Sequence, residues 1–160
     1  MQERPVLPVG RFGRMVYDGG YAVLLVLHLL AVVFLIGPLA LTAVHSPGQA
    51  RRGDAVGLAA AAKTNKVYAG LSVLVVVLGA LMVADRWETS QAWVVASYAL
   101  WFAAVLLHVL VVGKAQEAAL AALAKGGDVG SAPQRIAVGA GLATLAWAGI
   151  IVLMVVKPGV

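Results

Sequence analysis

The chain has 160 residues, of which 62% are hydrophobic and only 12% charged, with a net charge of +5 and a mean hydropathy of +0.94. A soluble domain carries about 25% charged residues, so an ordinary soluble enzyme, a disordered chain and a nucleic-acid-binding module are excluded. There is no cysteine, which removes disulfide frameworks, iron–sulfur clusters, thiolate zinc sites and thiol nucleophiles.

Four uncharged apolar runs follow one another. Between Asp18 and Arg51 there is no Asp, Glu, Lys or Arg, and Tyr21–Val44 is almost wholly apolar. Val67–Ala84, Thr89–Gly113 and Ile136–Val156 are the other three. Each is long enough to cross about 30 Å of hydrocarbon as a helix. The pattern predicts an all-α, polytopic four-helix transmembrane bundle. It forms one domain over residues 1–160, with spans at about 20–45, 66–84, 90–113 and 136–156. Gly37-Pro38 should bend the first helix, because Pro38 removes a backbone hydrogen bond. In the first connection, His45–Lys66, the part from Asp54 onward reads as helix with Gly53-Asp54 at its N-cap. Asp85–Glu88 reads as a tight turn, with Trp87 and Trp93 beside it as interfacial anchors. Ala115–Lys125 should prolong the third helix until Gly126-Gly127 ends it.

Lys and Arg are divided seven to five between the two sides, the richer side holding connections 45–66 and 114–135. The positive-inside rule then places those connections in the cytoplasm and both termini outside. The lipid bilayer is the expected partner, and nucleic acid is not.

No run contains an Asp, Glu, Lys or Arg. Ion-coupled transporters, voltage sensors and charge-lined channels work through such groups, and none of these is supported. What remains is histidine. His28 lies in the first span, His108 in the third, and His45 where the first span meets the cytoplasm. Ser97, Trp101 and His108 share one helix face. A histidine inside a span either ligates a metal such as haem iron or answers another helix through a hydrogen bond. His28 and His108 should differ in depth by roughly 15 Å, counted at about 1.5 Å per residue. One haem therefore does not take both as axial ligands. A haem on His28 has no second ligand, or has Met82 or Met154. Leu24, Ala31, Val32 and Leu35 would form its apolar wall. His108 and Trp101 are secondary candidates. In the fourth span Gly139, Ala143 and Trp147 recur at intervals of four, the small-residue spacing that lets helices touch. That face serves intrachain packing, or else a homodimer or larger membrane complex.

The stretch Leu24–His45 is similar to the first helix of an uncharacterised bacterial family, the predicted integral membrane proteins. Arg51–Ala84 and Gly149–Pro158 resemble it too, so the likeness covers nearly the whole chain. It implies four helices in the bacterial inner membrane. More distantly, the Leu27-His28 helix resembles the first helix of the haem-dependent membrane protoporphyrinogen oxidases and of copper-resistance membrane proteins. In the oxidases the corresponding histidine is a haem ligand, a role the resemblance carries to His28. The oxidases' other characteristic polar residues are not found here, so no catalytic residue is assigned. Two expectations follow: a small inner-membrane b-type haem-binding redox protein, or a non-catalytic packing or assembly subunit of a larger membrane complex.

Overall fold

The computed structural model describes residues 11–86 and 90–158. Arg4, Trp87 and Glu88 lie outside the described residues, and with them most of the turn expected at Asp85–Glu88. Helix is the only regular structure among the described residues. Four helices are long and apolar enough to cross a membrane: α1 (Gly19–Arg51), α2 (Ala55–Ala84), α3 (Ala92–Ala124) and α4 (Ala132–Val156). The chain is thus an all-α membrane protein. Its outer surface is apolar along the helices, with Phe34, Leu145 and Val155 each more than half exposed. Such a surface suits lipid and not water.

The helices run past the apolar runs that announce them. Only Arg52, Gly53 and Asp54 separate α1 from α2. Gly53 turns the chain at φ 67°, a left-handed conformation that glycine adopts without steric cost. The Asp54 carboxylate then caps α2 by accepting from the Gly57 N–H at 2.8 Å. The α3–α4 link turns similarly at Gly126 and Gly130, with φ 64° and 54°. We call this extremity the Asp54 end and the opposite one the Trp93 end.

Two π-helical turns divide the long helices. One, Val32–Ile36, sits immediately before Gly37-Pro38 in α1. Pro38 cannot donate to the preceding turn, and widening that turn relieves the clash of its ring. The Arg11–Ala31 part of the first helix packs on Val73–Arg86, whereas Gly37–Arg51 packs on α4 and on Ala55–Leu71. The π turn therefore marks where the first helix, packed on α2 throughout, gains α4 as a second neighbour. The second, Leu107–Gly113, contains His108. Helix α2 is itself interrupted at Ser72, whose hydroxyl donates back to the Ala69 carbonyl at 2.6 Å. Such back-bonding bends helices.

The interior is built from small residues. Ala43, Ala115, Ala140 and Ala143 are almost wholly buried. A β-carbon at Gly139 would lie 2.9 Å from Val111 Cγ1 and 3.0 Å from Val112 Cγ2. The Gly139/Ala143 face of α4 is thus filled by α3 of the same chain, at backbone approach. Gly149, on another face, would place its β-carbon 3.2 Å from the tip of Leu100, and Gly141 would meet nothing within 4 Å. Replacing Gly139 by Leu should therefore lower stability by about 1–3 kcal/mol, the usual cost of overpacking, whereas Gly141→Leu should leave it unchanged. Thermal unfolding midpoints in one detergent compare the two. Equal midpoints would remove the claim of close α3–α4 contact.

Candidate functional site

Most polar side chains inside the bundle are paired helix to helix. The pairing separates the two intramembrane histidines by how many ring nitrogens it engages. His108 is 1% exposed. The Asn65 amide donates from Nδ2 to the His108 carbonyl at 2.9 Å. That bond fixes the amide orientation and turns Asn65 Oδ1 to the ring, 2.8 Å from His108 Nδ1. An amide oxygen only accepts, so Nδ1 carries the proton. The other nitrogen, Nε2, faces the Trp147 indole N–H at 3.5 Å. Both ring nitrogens are engaged, and His108 has none left for a metal. Its carbonyl receives Asn65 inside the π-helical turn. The wider turn displaces one carbonyl from the regular ladder and lets a side chain reach it.

His28 is different. It is 6% exposed, and Nδ1 lies 3.0 Å from the Val75 carbonyl across the bundle. A carbonyl only accepts, so Nδ1 is again the protonated nitrogen. Gly79 makes this possible: a β-carbon there would lie 3.2 Å from His28 Cε1, so only a bare backbone lets the ring lie against α2. Nε2 makes no hydrogen bond among the described residues. In the neutral imidazole Nε2 then keeps its lone pair available. A backbone carbonyl holding Nδ1–H is the usual way a protein fixes an imidazole that ligates through Nε2.

His28 lines two adjoining spaces. A deep lobe of about 50 Å³ lies between it, Trp101, Trp147 and Ile150. A larger cleft of about 310 Å³ opens between α1 and α4. Tyr21, Leu25 and Leu29 line its α1 side and Ile151, Met154 and Val155 its α4 side. Leu29, Ile151 and Val155 are all more than half exposed, so the cleft opens sideways toward lipid. Of the wall expected on the first helix, Val32 lines the cleft. Ala31 and Leu35 pack instead against the core. The cleft lies toward α4, which brings Leu25 and Leu29 to it in place of Leu24 and Leu35. Met82 and Met154, the two thioethers singled out in the sequence, both line this cleft with His28.

Trp101 is brought to the deep lobe, where its indole N–H donates to Ser72 Oγ at 3.3 Å. Ser97 donates back to the Trp93 carbonyl at 2.8 Å. Trp93 is no interfacial anchor: it is 4% exposed and forms part of the cleft wall. His45 bonds the Leu41 carbonyl of its own helix at 2.8 Å. Trp147 lines the deep lobe with His28 and reaches His108, so the two imidazoles lie on either side of one indole and do not converge.

Sequence reasoning missed Asn65, Gly79 and Lys157. Asn65 falls just before Lys66, where the apolar run begins, and so reads in the sequence as part of the connection. It is 2% exposed. Gly79 did carry a signal, as a residue without a side chain where a helix touches another. Nothing local distinguishes Lys157.

Losing the Asn65 amide would strand the His108 ring N–H and carbonyl. Asn65→Leu should cost about 1–3 kcal/mol, the penalty for unanswered buried polar groups. His108→Leu combined with it should cost less than the sum of the single changes. Unfolding of the three variants in mixed micelles measures this, and strict additivity would overturn the pairing. Neither a protein-family model, nor a curated protein, nor a solved structure matches the chain.

Proposed function

We propose that this protein binds haem b, with His28 Nε2 as the iron ligand, and serves redox chemistry in a bacterial cytoplasmic membrane. The observation that carries the reading is the state of His28. It is a buried imidazole whose Nδ1–H is held by the Val75 carbonyl and whose other nitrogen is unengaged beside an apolar cleft.

The donor set favours haem over a bare metal ion. Among the described residues no three His, Asp or Glu side chains gather into a metal-binding group. A lone imidazole holds a bare cation poorly. It is sufficient for haem, because the porphyrin itself supplies four donors. The cleft also suits a flat apolar ligand. Trp93, Val83 and Met154 wall it, and its volume of about 310 Å³ falls within the range of roughly 300–1,000 Å³ found for ligand sites. The sideways opening extends what it can accommodate. Met82 and Met154 are the available thioether donors, of the kind that raises a haem potential. When bound, the haem supplies one-electron exchange. The chain orients the ligand through His28, excludes water with its tryptophans, and shields one edge from lipid.

Orientation follows from charge. Arg51 and Arg52 end α1 beside the Asp54 cap, with Lys63 and Lys66 on the next helix. The basic side belongs in the cytoplasm, so the His28 cleft opens nearer the outer face.

Two experiments test this reading. Protein purified from haem-replete cells should show a Soret band. His28→Ala should abolish it, and His108→Ala should keep most of it, since both His108 nitrogens are already bound. A colourless wild type that also fails to take up added haemin would leave the assembly-subunit reading. For orientation, a cysteine at Ser90 should react in intact cells with an impermeant thiol reagent, while one at Arg52 should be protected. The reverse pattern would invert the topology.

A further inference from the structure

One charged side chain reaches the His28 cleft from within the described residues. Lys157 follows the last turn of α4 and stands in the left-handed region, at φ 43° and ψ 61°. A residue with a β-carbon adopts that conformation at a cost. Here its N–H still caps the helix, bonding the Leu153 carbonyl at 2.9 Å. The left-handed step ends α4 and redirects the chain, so the side chain returns over the bundle. Its ammonium sits 5.9 Å from the centre of the Trp93 ring, within cation–π reach. Lys157 and Tyr21 line the cleft at its Trp93 end, with His28 further in.

A cation held over an aromatic wall at the mouth of an apolar cleft is placed to meet an anion on an amphiphilic ligand. The lysine stem covers apolar surface and the charged head stays at the polar boundary. A porphyrin carries its carboxylates on one edge. With the iron at His28, the cation among the described residues that lines the cleft is Lys157, toward the Trp93 end. We infer that Lys157 is the carboxylate-recognition residue of the cleft. It pairs with the ring carboxylates, so that the ligand enters from lipid with its apolar edge inward and its acidic edge at the polar boundary. This rests on the haem reading of His28 and adds to it the orientation of the ligand and its discrimination by charge.

The test compares haemin with haemin dimethyl ester, whose carboxylates are masked and uncharged. Each is titrated into the full-length wild type, Lys157→Gln and Lys157→Arg in detergent, following the Soret band. Wild type should bind haemin about tenfold more tightly than the diester, the span of about 1.4 kcal/mol. Lys157→Gln should lose that preference by weakening haemin alone, and Lys157→Arg should restore it. A Lys157→Gln protein that weakens both ligands equally would overturn the assignment, because the lysine would then act only by packing on Trp93. So would a wild type that binds both ligands equally, which leaves the haem reading intact. A wild type that binds neither overturns the haem reading itself.

Discussion

Hydrocarbon offers no hydrogen-bond partner, so a polar group carried into the bundle is costly unless it is answered from within the chain, although Gln49 Oε1 and Gln116 Oε1 are buried without an answer among the described residues. That constraint organises the interior. Asn65 of α2 meets His108 of α3, and Trp147 of α4 completes the ring. Trp101 of α3 reaches Ser72 of α2. Gln116 of α3 donates to Ser46 of α1 at 2.8 Å, and Ser46 passes its own proton to the Thr42 carbonyl. Apart from the Ser46–Thr42 bond, which lies within α1, each of these bonds joins two helices whose apolar surfaces fit one another no better than they fit lipid. The bonds therefore choose neighbours and register, while small residues such as Gly139 and Ala143 let the backbones close.

Departures from regular helix serve the same constraint. The π turn at Leu107–Gly113 presents the His108 carbonyl to Asn65, and the break at Ser72 gives Trp101 an acceptor. The π turn at Val32–Ile36 does something else. It stands where the first helix, packed along α2 on both sides of the turn, gains α4 as a second neighbour, and the lateral cleft between α1 and α4 lies on the Trp93 side of it. The cleft is a consequence of helix geometry and needs no loop to build it. A site made this way is reached from the membrane, which selects for apolar and amphiphilic ligands.

The contrast between the two intramembrane histidines follows. His108 spends both nitrogens on structure and ties three helices together. His28 spends one on Val75 and keeps the other. The same residue type at similar burial thus performs two tasks, decided by how many partners surround it. Gly79 is the smallest element of this difference: it gives the His28 ring room on α2, and α3 and α4 supply no second partner there.

The sequence by itself determined the class of the molecule, the four spans and the intramembrane histidines. Those follow from the cost of charge in lipid, which depends on composition and run length alone. It also marked Gly139 and Ala143 as packing positions, because close helix approach requires small residues at that spacing. It underestimated the helices, since an apolar-run criterion stops at the first charge. The Ala-rich helix continues past it, carrying Ser46, Asn65 and Gln116 into full burial. Tertiary structure alone decided which histidine keeps a nitrogen, that Trp93 turns inward, and that Lys157 folds back over it. Each of these depends on partners far apart in the chain, Val75 for His28 and Asn65 for His108, and no local pattern records which carbonyl an imidazole will meet.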